Sequence, residues 1–229
     1  MVNNVVRPPK PVNEPVLGYL PGSKERELLI EELDRQEKEI LEIPCIINGK
    51  EVFTGDIVEQ VMPHNHSHVI ARVHMAGENE VNNAIKAALD SHKMWSTMPW
   101  EARCAIFLKA SELLAGPRRY EINASTMLNQ SKTCHQAEID SACELIDFWR
   151  FNADYCRQIY EDLQPPVSPS SMWNSSEIRP LEGFVFSVTP FNFSSIAANL
   201  PSSAAIMGNT GVWKPSRNSY VSNYKLMKL

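Results

Sequence analysis

The sequence predicts an α/β fold in which a helical layer is followed by the start of a parallel sheet. Three observations carry this. Between residues 78 and 163, apolar residues return at three- and four-residue spacing, the period of helices lying on a core. After residue 183 the pattern becomes short apolar runs, Val185-Phe186-Ser187-Val188 and Gly211-Val212-Trp213, separated by a helical stretch from about 194 to 207. That is the strand–helix–strand order of a parallel pair. The 229 residues are 43% hydrophobic and 21% charged, the composition of a chain that buries a sizeable core.

Taken in order, residues 1–22 contain Pro8, Pro9, Pro11, Pro15 and Pro21. Proline fixes φ and removes a donor, so an extended arm is expected. Ser23 is the expected cap of an amphipathic surface helix over residues 24–43, with Leu28, Leu29, Leu33, Ile40 and Leu41 among its charges. Asn48-Gly49 lies between two apolar runs and marks a tight hairpin, because this dipeptide populates positive φ. Helices are expected over 78–95, with Val81, Ile85, Leu89 and His92 on one face, over 99–115, and over 118–130. A longer helix from about Cys134 to Leu163 places Ile139, Cys143, Ile146, Trp149 or Arg150, and Ala153 along one side, and Pro165-Pro166 stop it. A Ser/Pro-rich link then leads to a buried strand at Val185, Phe186 and Val188. The closing SNYKLMKL starts a helix over the second strand. A sheet of two or three parallel strands keeps open edges and a bare face, so the domain reads as incomplete.

The net charge of −5, with Lys and Arg scattered, argues against nucleic acid or anionic lipid as a partner. No run approaches the ~20 apolar residues that cross a bilayer. The opening MVNNVVRPPK shows no signal-peptide core and no recognisable transit peptide. Five cysteines without a CxxC pair suit a reducing compartment. His64, His66 and His68 alternate and on a strand would share a face, but no carboxylate pattern supports them, so no metal is assigned.

The most informative stretch is Val188-Thr189-Pro190-Phe191-Asn192-Phe193, followed by a helix, Met207-Gly208-Asn209, and Trp213-Lys214-Pro215-Ser216. Each piece alone is an ordinary turn and cap. Together, in this order, they resemble the signature of the aldehyde dehydrogenase superfamily. Further phrases, among them Asn13 to Leu17, Gly116 to Arg119, Gln136 to Asp140 and Glu144 to Phe148, are similar to its proline-catabolic branch, which oxidises L-glutamate γ-semialdehyde.

The resemblance implies the N-terminal part of that fold. Residues 1–22 would be the arm and 23–163 the hairpin and helical layer of the cofactor-binding domain. Residues 164–182 would start the strands of an oligomerisation flap, and 183–229 would be the first βαβ of a Rossmann-like NAD-binding domain, truncated. It also implies the chemistry: a cysteine thiolate attacks the aldehyde, hydride passes to the nicotinamide, and water releases the acid. Asn192 matches the side-chain amide donor to the oxyanion. Lys214 matches the lysine at the adenosine ribose of NAD, Thr189 a residue whose backbone faces the dinucleotide, and Trp213 and Ser216 flank the adenosine. Arg217 stands where many NAD-preferring relatives carry an acid, which leaves NADP open. Glu144 matches a carboxylate near the substrate amino group and Phe193 an aromatic wall beside the aldehyde chain. An exposed acidic stripe of Asp140, Glu144 and Asp147 explains Glu144 equally well.

None of the five cysteines sits in the family's nucleophile context, so the isolated chain is expected to be inactive. A small-molecule aldehyde substrate, homo-oligomers of the full-length protein and the mitochondrial matrix follow from the resemblance alone. Two other readings stand beside it: a natural short non-catalytic product that binds other subunits, and part of a generic aldehyde dehydrogenase.

Overall fold

The computed structural model describes residues 6–229, so the first five residues of the expected arm, and that part of the presequence reading, lie outside the described residues. From residue 6 to 20 the chain runs without helix or strand, as its prolines dictate. It is not a loose arm: Tyr19 is buried and packs with Leu29 and Ala124.

Helix α1 spans Lys24–Glu37 and lies on α4 (Arg119–Gln130), burying Leu29. The expected helix to residue 43 is too long. Leu41–Ile43 is strand β1, which pairs parallel with β5 (Asn65–His74), and Ile40 is half-exposed. Long-range pairing overrides a helical period that carried on through the charges. Asn48 and Gly49 have φ 52° and 71°, closing the predicted hairpin of β2 (Cys45–Ile47) and β3 (Lys50–Val52). Sequence reading missed the three-stranded sheet β1-β5-β4, where β4 is Ile57–Met62 and antiparallel to β5. The alternation of Val69, Ala71 and Val73 was the available signal.

Helices α2 (Glu78–Ser96), α3 (Trp100–Ala115) and α4 fall where expected. The face of α2 does not. Val81 and Leu89 are 47% and 48% exposed, and Ala88 is the buried residue. The helix lies near β2 and β7 and is fixed by Trp95 Nε1, which donates to the Ala205 carbonyl at 2.9 Å. Its small-residue face allows that approach and the bulkier face is left outside.

The long helix forms as α5 (Cys134–Ala137), a π-helical turn (Glu138–Cys143) and α6 (Glu144–Asp162). A π turn takes one residue more than an α turn, so faces counted at α spacing slip across it. Ile139 is therefore 38% exposed instead of lining up with Ile146, Trp149 and Ala153, which are buried as expected. Residues 164–182 contain no strand.

Strands β6 (Val185–Val188) and β7 (Gly211–Lys214) pair in parallel around α7 (Ser194–Ile206), and α8 (Tyr220–Met227) follows. The strand–helix–strand reading holds, but burial of β6 does not: Phe186 and Val188 are each 58% exposed, because a two-stranded sheet here has a covered face and a bare one. The main core joins α3, α4, α6, α7 and α8 through Leu114, Ile122, Leu145, Ile146, Trp149, Ala198 and Leu226. It forms the floor on which β6, α7 and their connecting loop rest.

Candidate active site

The loop Thr189–Phe193 joins the carboxyl end of β6 to the start of α7, the place where ligands bind in open α/β sheets. Its β6 end is fixed. The Thr189 amide donates to the Lys214 carbonyl at 3.3 Å, and Trp213 Nε1 donates to Thr189 Oγ1 at 2.9 Å. Two of the four expected cofactor residues, Thr189 and Trp213, are thus tied to each other, and Lys214 is the ladder partner of Val188. The Lys214 side chain is exposed and unpaired among the described residues. Ser216 is half-buried beyond β7, where its carbonyl accepts the Ser219 amide at 3.1 Å; it makes no hydrogen bond to Thr189 or Trp213.

Asn192 is half-buried immediately before Phe193, the N-cap of α7, and among the described residues its side-chain amide makes no hydrogen bond. The three residues that follow it are engaged. Phe193 carries the Lys132 ammonium 4.2 Å above its ring, and Lys132 in turn pairs with Asp140 of the π turn. Ser194 Oγ donates to Ser222 Oγ at 3.0 Å and accepts from Gln130 Nε2 at 2.9 Å. Ser195 Oγ donates to Glu144. Behind the loop, Thr126, Ser141, Ser194, Ser219 and Ser222 are all buried and hydrogen-bonded, a polar seam between α4, the π turn, α7 and α8.

The acidic stripe is not a solvated face. Asp140 pairs with Lys132, Glu144 takes Ser195, and Asp147 accepts from Asn13 Nδ2 and the Glu14 amide, each at 2.7 Å. Lys132 and Ser195 were missed by sequence reading. The Thr133-to-Gln136 capping box, in which Thr133 Oγ1 accepts the Gln136 amide at 3.3 Å, was the visible mark of the turn that presents Lys132.

Beneath the π turn, Glu138 is fully buried and accepts from Leu17 N at 2.8 Å, Tyr19 Oη at 2.6 Å, Asn123 Nδ2 at 2.9 Å, and Arg119. Burial alone would raise its carboxyl, but the Arg119, Tyr19 and Leu17 donors outweigh that and hold it below the usual carboxylate range. Arg119 also pairs with Glu14, which reaches Arg150.

No cysteine faces Asn192 as a ready nucleophile. Burial, followed by the Glu138 charge, pushes the Cys143 thiol up to about 12. Burial likewise raises Cys45 and Cys134. Cys156, beside Cys104 and the Arg103 charge, is lowered but only 1% exposed. His64 Nδ1 meets Ser131 Oγ and His68 Nε2 meets the Glu37 carbonyl, both at 2.7 Å, and no group of three or more metal-ligating side chains occurs among the described residues. No helix among them is long and apolar enough to cross a membrane.

The comparisons with known proteins agree with this geometry. The family model described as aldehyde dehydrogenase family matches residues 53–229. The delta-1-pyrroline-5-carboxylate dehydrogenase of Agaricus bisporus is 47% identical over 218 residues, covering 95% of this chain and 40% of that protein. The human mitochondrial protein of the same name is 44% identical over 220 residues, covering 96% and 39%. The structure of the Mycobacterium tuberculosis Delta-pyrroline-5-carboxylate dehydrogenase bound with NAD matches with a TM-score of 0.97 at 43% identity, covering 99% of this chain and 42% of that one. The chain spans about two fifths of the length of the curated relatives it matches. With a family model over most of its residues and an asparagine held free at the carboxyl end of a parallel strand, this chain belongs to the aldehyde dehydrogenase family.

Proposed function

We propose that the protein carrying this chain oxidises L-glutamate γ-semialdehyde to L-glutamate with NAD, in proline catabolism. The observation that carries the reading is Asn192: a half-buried amide, unpaired among the described residues, in a strand-to-helix loop tied at Thr189 before it and at Ser195 after it. A donor held in this way needs no reorganisation when negative charge grows on an aldehyde oxygen. Its role is to stabilise the oxyanion of the tetrahedral intermediate.

The residues of β7 fit a dinucleotide. The Lys214 ammonium is exposed at the carboxyl edge of the parallel pair, where ribose hydroxyls lie in such folds. Trp213, clamped to Thr189, forms a fixed wall beside it, and Ser216 borders the same edge. NAD, when bound, supplies the hydride acceptor; the relatives' structures crystallised with NAD support it as the cofactor. Glu144 gives one carboxylate oxygen to Ser195, which leaves the other to accept from a substrate ammonium, and Phe193 lines the aldehyde chain. The thiolate of the reaction is assigned to no cysteine of this chain.

At the level of organisation, we read 183–229 as the first βαβ of the NAD-binding domain and 164–182 as the start of an oligomerisation flap. Trp173, 93% exposed, awaits cover there in a homo-oligomer. A mitochondrial location is proposed from the names of eukaryotic relatives.

The test is the kinetics of the longest natural protein that carries this chain. We expect NADH formation from glutamate semialdehyde, with Asn192→Ala lowering kcat by about 10²–10³. A kcat for that variant within a factor of ten of the unmodified protein removes the oxyanion role, and a preference for a simple alkyl aldehyde removes the substrate.

A further inference from the structure

We propose that Glu138 is a positioning residue for this site, acting through the π-helical turn that it anchors, and that the N-terminal arm is thereby part of the site's scaffold. Three successive residues of the site, Phe193, Ser194 and Ser195, are each tied to the turn or to the residue that follows it. Asp140 holds Lys132, which lies over the Phe193 ring. Ser141 Oγ is 2.8 Å from Thr126 Oγ1, itself 3.4 Å from Ser194 Oγ. Glu144 accepts from Ser195.

At the head of the same turn stands Glu138, whose partners Leu17 and Tyr19 belong to the arm more than a hundred residues away in sequence. A π turn is rarer than an α turn and has poorer intrinsic standing, so it persists only where its surroundings fix it. Here the Glu144 amide donates to the Ile139 carbonyl five residues back, and Ala137 and Glu138 at one end and Ala142 and Cys143 at the other are buried, so the turn is enclosed at both ends. If Glu138 lost its anchors the turn would relax toward α spacing. Each residue of slip rotates one side of the helix against the other by about 100°, which carries Asp140 and Ser141 off Lys132 and Thr126 relative to Glu144.

The link to catalysis rests on the dehydrogenase reading, whereas the positioning of the loop does not. Hydrogen exchange on the 229-residue chain therefore tests the positioning first, comparing the unmodified protein with Glu138→Gln and with Tyr19→Phe, which keeps the buried charges and removes one donor. We expect amides of residues 138–147 and also of 192–198 to exchange at least about tenfold faster in both variants, with β4 and β5 unchanged. Faster exchange in 138–147 alone overturns the proposal, as does no change, and so does a rise everywhere including β4 and β5. If Glu138→Gln does not fold, Tyr19→Phe decides. In the longest natural protein, Tyr19→Phe should lower kcat several-fold for both aldehydes, as the Asn192 loop loosens, and raise KM more for the amino-bearing semialdehyde than for an aldehyde lacking the amino group. Equal rises in both KM values overturn the positioning of Glu144. Absence of activity toward either aldehyde in the unmodified protein sinks the dehydrogenase reading and leaves the exchange result to stand by itself.

Discussion

Glu138 shows how much a single buried carboxylate can hold. Fully enclosed, it is compatible with folding only because donors meet both its oxygens and Arg119 neutralises it. Removing one partner of such a pair costs about 3–5 kcal/mol, so Glu138→Gln should lower unfolding free energy at pH 7 by an amount near the bottom of that range, as the amide keeps the shape. Its folded-state pKa is depressed, so the stabilisation is present above the unfolded carboxylate value of about 4.3 and is lost as pH falls through the lower folded value. Denaturant titrations should therefore show the gap between unmodified protein and variant closing below about pH 4. A gap that stays constant into that range would falsify the assignment of the charge to Glu138. Little of this was legible in the sequence. Glu138 reads as one acid among several in Gln-Ala-Glu-Ile-Asp, and its partners Leu17, Tyr19, Arg119 and Asn123 are spread over a hundred residues. Asn192 was legible, because its signal lies within one contiguous turn and because that turn resembles a known one.

At the scale of elements, local chemistry set those that stand on their own. The Asn48-Gly49 hairpin, α3, α4, α7 and α8 all follow from caps, turn residues and periodicity, which depend on neighbours in the chain. Gly49 illustrates the point. Its φ is +71° and a Cβ there would meet nothing within 4 Å, so the cost of a side chain is purely conformational. Gly49→Ala should destabilise by about 1–2 kcal/mol, read as a lower Tm, and an unchanged Tm would show that the turn relaxes to another type. Elements whose identity depends on a distant partner were misread. β1 looks helical until β5 pairs with it, the small face of α2 is chosen by the Trp95–Ala205 contact, and the π turn is dictated by what is buried at its two ends.

At the scale of the whole molecule, the site is a meeting of an arm, two helices, a π turn and one parallel strand pair. That meeting leaves a half-buried, unpaired amide at Asn192, an exposed lysine at the strand edge and a carboxylate held by Ser195, but no cysteine poised as a thiolate among its residues. Oxyanion stabilisation without a nucleophile has no intermediate to act on. The purified 229-residue chain should accordingly form no NADH from glutamate semialdehyde, and calorimetry should give an NAD dissociation constant weaker than the low micromolar range. Turnover by the chain alone, or tight NAD binding, would contradict this.

The sequence by itself determined the α/β class, the order and bounds of most helices, the hairpin, and the asparagine and lysine at the ends of the two parallel strands. These are set by local rules or by short contiguous motifs. Only the tertiary structure decided that the acids of the long helix are paired instead of solvated, that Lys132 caps Phe193 while Ser195 holds Glu144, and that the arm reaches the turn beneath them. The reason is physical: hydrogen bonds and ion pairs between residues far apart in the chain leave no periodicity behind, and burial fixes their worth only once the partners have met.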